Sequence, residues 1–243
     1  MKKLVSFTLL LTLLLGLPVN ARADLMSRDG VLCYFDENGR EAREIGLDVS
    51  FYNNQIDWVA LKNQGFSFVM VRLGGRGWGT GSMYGDRMTQ ANLRGAQEAG
   101  LKVGAYFYSA AINPTEAVEE AVQALHTLNG FPLDLPLYID MELTGNYPYG
   151  RSDSLKPGER ADIVQAFCET VEAAGYDSGL YASEAYMRYE IDEEAVRYLP
   201  LWMASYTVEN RLPAFVDNYD VWQQTDSCRA GGVDGPFDFN IVF

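Results

Sequence analysis

From Ile45 to the C-terminus, short apolar runs alternate with longer stretches whose apolar residues recur every three or four positions. Apolar runs of four to eight residues are the pattern of buried strands; the 3.6-residue period is that of helices packed on one face. The predicted strands are Ile45–Val49, Phe66–Leu73, Val103–Ser109, Leu135–Met141, Gly179–Ala182, Leu199–Ser205, Tyr219–Gln223 and Phe237–Val242. Helices are predicted between the first five, near 56–64, 86–99, 114–129 and 158–174. Short apolar strands separated by helices are parallel strands covered on both faces.

The punctuation agrees. Four predicted helices end in Gly followed by an apolar residue: Gly65-Phe66, Gly100-Leu101, Gly130-Phe131 and Gly175-Tyr176. Gly takes the left-handed conformation cheaply just past a helix, and the apolar residue packs back on the last turn. Asn113-Pro114-Thr115-Glu116 reads as a helix start, with Asn as cap, Pro at the first position and Glu at the third. After Ala182 there is one short helix, Glu184–Tyr189, and then three strands with spacers too short for crossover helices. The count is five βα units and three closing strands in one α/β domain. Eight strands are enough to close a barrel. An open doubly wound sheet is the alternative, although no G-x-G-x-x-G follows the first strand, which argues against its nucleotide-binding forms.

Residues 24–43 stand apart as an N-terminal extension before the barrel of 44–243. Val31-Leu32-Cys33-Tyr34-Phe35 runs into Asp36-Glu37-Asn38-Gly39, a strand leading to an Asn-Gly turn and a small hairpin against the barrel. Ahead of it, Met1-Lys2-Lys3 precedes an apolar run from Leu4 to Leu17, broken by Pro18 and followed by Ala21-Arg22-Ala23. This reads as a secretory signal cleaved after Ala23, residues 1–23 being lost. A membrane anchor is the alternative, but the run falls short of the ~20 residues that span a bilayer. A secreted or periplasmic protein, free of the membrane after cleavage, is expected.

Composition narrows the chemistry. Of 243 residues, 48% are hydrophobic and 21% charged, as in ordinary globular proteins. The net charge is −14, and loss of Lys2, Lys3 and Arg22 would take it to −17. Such a chain repels phosphate backbones, so no nucleic-acid partner is expected. There is a single histidine, His126, so no multi-histidine zinc site can form. No metal or organic cofactor is expected, and a monomer is. Three cysteines allow at most one internal disulfide. Cys168 falls on an apolar helix face, which leaves Cys33 and Cys228 as a pair that either bonds or stays free.

Enzymatic chemistry, if present, therefore rests on carboxylates. Asp48, Asp140, Glu142 and Asp238 sit at ends of predicted strands. In Leu137-Tyr138-Ile139-Asp140-Met141-Glu142 the two acids are two residues apart, and such side chains share one face of a strand. In a parallel barrel the C-terminal strand ends form the active-site rim. Crowded carboxylates raise each other's proton affinity, so one can be an acid while its neighbour stays anionic, as glycosidic cleavage requires. The plainer reading makes such acids helix caps or loop charges. Tyr106, Tyr108, Tyr181, Trp202, Tyr206 and Trp222 lie on or beside the strands and could stack on sugar rings; the plainer reading makes each of them core. Gly74-Gly75-Arg76-Gly77-Trp78-Gly79-Thr80-Gly81 reads as a flexible rim loop and lacks the Lys-Ser/Thr ending of a phosphate loop.

An ordered set of motifs resembles glycoside hydrolase family 25, the Chalaropsis-type lysozymes. It comprises Gly46-Leu47-Asp48-Val49-Ser50 with Ile56-Asp57-Trp58, then Ala99-Gly100-Leu101-Lys102-Val103-Gly104-Ala105-Tyr106-Phe107, then the D-x-E of Asp140-Met141-Glu142. Leu180-Tyr181-Ala182, Leu201-Trp202-Met203-Ala204-Ser205-Tyr206, Val221-Trp222-Gln223-Gln224 and Phe237-Asp238-Phe239-Asn240 complete it. The resemblance implies an irregular (β/α)5β3, TIM-like barrel and N-acetylmuramidase activity on peptidoglycan glycan strands. It implies Glu142 as general acid, Asp140 as its partner, and Asp48 and Asp238 as supports of the pocket. Phe107, Asn53-Asn54 and Arg72-Leu73-Gly74-Gly75 depart from residues common in that family. A non-catalytic module that grips wall glycan is the alternative function, against which the intact Glu142 argues.

Overall fold

The computed structural model describes residues 24–29, 31–36, 38–145, 149–206, 212–213 and 219–243. The expected leader, residues 1–23, lies outside them. Eight strands close into a barrel: β3 (Glu44–Val49), β4 (Phe68–Arg76), β6 (Lys102–Ser109), β7 (Leu137–Met141), β8 (Ser178–Ser183), β9 (Leu201–Ala204), β10 (Val221–Cys228) and β11 (Phe237–Val242). The neighbours β3–β4–β6–β7–β8–β9–β10 are parallel. β11 closes the ring antiparallel to both β10 and β3. The helices are α1 (Trp58–Asn63), α2 (Thr89–Glu98), α3 (Pro114–Leu128), α4 (Pro157–Ala173), α5 (Glu184–Tyr189) and α6 (Glu193–Val196). Five βα units are thus followed by three strands, the (β/α)5β3 order.

Strand parity divides the interior in two. Outward residues such as Val69, Val71 and Leu73 of β4 and Leu137, Ile139 and Met141 of β7 join the helices in one core. Inward residues Phe68, Met70, Tyr106, Tyr138, Tyr181 and Trp202 form a second core that plugs the barrel. Gly46 makes room for this plug, since a Cβ there would lie 2.4 Å from the Phe68 ring. The helix punctuation holds. Gly65, Gly100, Gly130 and Gly175 all take positive φ, and the Asn113 side chain accepts from the Glu116 N–H at 3.0 Å, capping α3.

One expectation is corrected. Gly74–Arg76 is strand rather than loop, because β4 continues there to pair with β5 (Met83–Gly85). The N-terminal hairpin is formed by β1 (Asp24–Arg28) and β2 (Val31–Phe35). The expected Asn38-Gly39 turn also forms after β2: the Gly39 N–H donates to the Asp36 carbonyl at 2.9 Å, and Phe35 and Glu41 bridge antiparallel across it. Cys33, Cys168 and Cys228 are all free thiols. The hairpin has a clear packing role. Spacers around β10 and β11 are too short for covering helices, and Tyr34 of β2 fills that place. It is 1% exposed and meets the Trp222 ring edge-on at 6.0 Å.

Candidate active site

Parity also builds the site. On β7, Tyr138 and Asp140 point inward, and Glu142 follows just beyond the strand. Asp140 is 4% exposed, while Glu142 opens to solvent in the same cavity. On β3, Leu47 and Val49 face the helices, so Asp48 faces the barrel axis. Asp238 is its direct partner across the antiparallel ladder. Because β11 runs the other way, its first residues, not its last, reach the rim where the parallel strands end. All four predicted acids therefore line one cavity of about 570 Å³, a size typical of ligand pockets.

A hydrogen-bond network fixes the Asp48 side. Its Oδ2 accepts from Gln223 Nε2 at 2.8 Å and Asn240 Nδ2 at 2.9 Å. Gln223 Oε1 in turn accepts from the Tyr181 and Tyr206 hydroxyls at 2.7 and 2.5 Å. Asn240 Oδ1 accepts from Trp202 Nε1 at 2.7 Å. Both amides are used at both ends, which orients them and with them the carboxyl. The segment behind Glu142 is also fastened. The Thr144 N–H and the Gly150 N–H both donate to the Asp153 carboxylate, at 3.1 and 2.8 Å. The buried Arg160 of α4 holds the Asp153 carbonyl at 2.9 Å and the Glu190 carbonyl at 2.8 Å.

Burial and mutual repulsion make these acids reluctant to ionise. Burial, and then the Glu142 charge, push Asp140 well above the usual carboxylate range, with Arg72 opposing. Partial desolvation within the cavity raises Glu142 as well, although its side chain also reaches solvent, and its interaction with Asp140 pulls it partly back. Carboxyls that interact in this way titrate together rather than as two independent groups. On the other side, burial and then Asp238 raise Asp48, against the amides of Asn240 and Gln223. Burial lifts Asp238 to about 6.

Arg72 is the cation of the inner wall. Its Nε donates to Asp86 Oδ2 at 3.0 Å, and its guanidinium lies 5.0 and 5.3 Å from the Phe51 and Tyr52 ring centroids. Arg72 Nη2 and Asp140 Oδ1 are both buried without a hydrogen-bond partner. Among the described residues no cluster of His, Cys, Asp or Glu is arranged to hold a metal ion.

The predicted aromatic residues separate into three groups. Tyr106, Tyr108, Tyr181 and Tyr206 line the cavity. Trp202 closes its floor at 1% exposure, with the Tyr181 ring 4.5 Å away. Trp222 is a correction. It neighbours the inward Gln223, so it points outward, fully buried under Tyr34, with Nε1 donating to the Ser205 carbonyl at 3.0 Å. Gln223, Asn240, Arg72, Tyr84, Trp78 and Tyr52 join the site without having been singled out. The parity of β10 and β11 was the signal for the first two: Asp238 facing in puts Asn240 in as well.

An eight-stranded barrel whose rim gathers carboxyls among tyrosine rings defines a protein of the glycosyl hydrolase class. The chain belongs to glycosyl hydrolases family 25, which it matches over residues 47–233. It is 29% identical over 195 residues to an autolytic lysozyme of Clostridium acetobutylicum, covering 80% of this chain and 54% of that one. It is 26% identical over 203 residues to lysozyme M1 of Streptomyces globisporus, covering 80% and 66%. The fold matches the modular autolysin LytC of Streptococcus pneumoniae with a TM-score of 0.76 at 22% identity, covering 91% of this chain and 52% of that chain. It matches the bacterial lysozyme of Streptomyces coelicolor with a TM-score of 0.66 at 23% identity, covering 82% and 91%. The chain thus spans about half the length of the autolytic lysozyme and of LytC.

Proposed function

We propose that the protein is an N-acetylmuramidase that hydrolyses the β-1,4 bond between N-acetylmuramic acid and N-acetylglucosamine in peptidoglycan. The observation that carries this is the Asp140–Glu142 pair, two carboxyls with raised proton affinity in one ring-lined cavity. Family membership supports the substrate class.

Glu142, the open member of the pair, gives its proton to the leaving oxygen as the C1–O bond breaks. Asp140 is left anionic at the buried end. There it either polarises the 2-acetamido oxygen for attack on C1 or orients a water. Asp48 and Asp238 support the pocket, and Tyr106, Tyr108, Tyr181 and Tyr206 offer faces and hydroxyls to the sugar rings. The enzyme works outside the cytoplasm as a monomer, after loss of residues 1–23, with 24–43 as an extension of the 44–243 barrel.

Mass spectrometry of borohydride-reduced muropeptides after digestion of purified walls reads which bond is cut. Reduced muramic acid at the new ends is expected. Reduced glucosamine would assign a glucosaminidase instead. Wall binding with no new ends would make the barrel a glycan-binding module.

A further inference from the structure

One wall of the cavity is the β4–β5 hairpin, and its tip carries an exposed tryptophan. Gly74 pairs with Gly85, Gly75 with Tyr84 and Arg76 with Met83. The two glycines are required by close approach: a Cβ on Gly74 would lie 2.2 Å from the Tyr84 carbonyl oxygen, and one on Gly75 would lie 2.6 Å from the Tyr84 hydroxyl. Tyr84 is thereby laid against the strand beside Tyr108. At the tip, the Gly77 N–H donates to the Ser82 carbonyl at 2.9 Å and the Gly81 N–H to the Gly77 carbonyl at 2.8 Å. Trp78 stands out from this turn at 43% exposure and lines the same cavity as Glu142.

This tip is held with unusual firmness for a surface turn. Arg76, 5% exposed, donates from Nε to Glu120 at 2.8 Å, from Nη2 to Glu119 at 2.9 Å and from Nη1 to the Gly81 carbonyl at 3.0 Å. Arg151 grips both Glu116 oxygens, at 2.5 and 2.8 Å, while its own N–H donates to the Trp78 carbonyl at 2.9 Å. The tip is thus tied to α3 and to the segment that follows β7, the strand of Asp140. Buried ion pairs add little net stability over apolar contacts, and Glu120, fully buried, keeps one oxygen unpartnered. What the network secures is the backbone from which the Trp78 ring projects.

We propose that Trp78, with Tyr84 lining the same cavity, is a stacking platform for a further pyranose ring of the glycan strand, beyond the two rings that flank the cut. This rests on the muramidase reading above. A flat, exposed ring at the rim presents an apolar face to the C–H face of a sugar. The acid-lined cavity favours a neutral N-acetylhexosamine over an anionic group at that place. The platform makes the enzyme prefer long strands.

The test compares the full-length wild type with Trp78→Ala and Trp78→Phe on peptide-free oligomers of alternating N-acetylglucosamine and N-acetylmuramic acid, a tetrasaccharide and an octasaccharide. The ratio of kcat/KM for the long over the short substrate is expected to fall about five- to tenfold in Trp78→Ala and to be largely kept in Trp78→Phe. An unchanged ratio overturns the proposal. If the wild type cuts neither oligomer, the muramidase reading fails by itself. Octasaccharide binding by calorimetry then decides, with equal affinities of wild type and Trp78→Ala overturning the platform.

Discussion

Asp48 and Asp238 are direct cross-strand partners on the β3–β11 ladder. Like charges so placed repel, and the network around them supplies amides rather than a cation. Burial and the Asp238 charge raise the Asp48 carboxyl well above the usual carboxylate range. A carboxyl whose folded-state pKa is raised contributes fully below its unfolded value of about 3.9, and that contribution is lost as pH rises through the folded value.

Asp48→Asn reproduces the shape of the protonated acid: its oxygen can still accept from Gln223 and Asn240. Its thermal midpoint at pH 7 is expected to equal or exceed that of the wild type, with a flatter dependence between pH 4 and 8. Thermal melts across that range check this. A variant that melts well below the wild type at neutral pH would mean that Asp48 is ionised and anchors the amides by its charge.

Arg72 opposes the rise of the Asp140 pKa. Glu142, Asp48, Tyr108 and Tyr181 also face that carboxyl, and none of them supplies a positive charge. The wild-type rate profile is expected to be bell-shaped, with an optimum on the order of pH 5–6. Removing the cation in Arg72→Met should move both limbs to higher pH, while Arg72→Lys keeps them near their wild-type positions. Initial rates from pH 3 to 9 for the three proteins decide it; limbs that stay in place or move down contradict the role.

Trp222 is packing. Truncation to Ala should cost about 3–5 kcal/mol of stability, as for other buried aromatic rings. Trp222→Phe should lower the unfolding midpoint while the rate per folded molecule holds. Denaturant titration alongside turnover measures both, and a selective loss of turnover in Trp222→Phe would return this ring to the substrate.

Much of this was legible in the sequence because parallel strands buried on both faces leave unbroken apolar runs, and because Asp140 and Glu142, two residues apart at a strand end, reach the same cavity. Parity was the limit. Trp222 and Gln223 are neighbours, and only the closed barrel says which one faces in. Glycine misled at Gly74–Gly75, where its absence of a side chain serves close strand contact rather than a loop. Arg72 sits in the apolar run Phe68–Leu73, and its inward direction emerges only from the pairing of β4 with β3 and β6. The N-terminal Asp24–Arg28 strand has little β character of its own and, among the described residues, pairs with β2 alone.

The central claim is that Glu142 hands a proton to the leaving oxygen of a glycosidic bond. Release of new reducing ends from purified peptidoglycan, measured for wild type and Glu142→Gln at mildly acidic pH, tests it most directly. The amide keeps the shape and loses the transferable proton, so the rate should fall by ~10²–10⁴ or more, with wall binding and the thermal midpoint retained. Near-wild-type release of reducing ends by Glu142→Gln would contradict the mechanism.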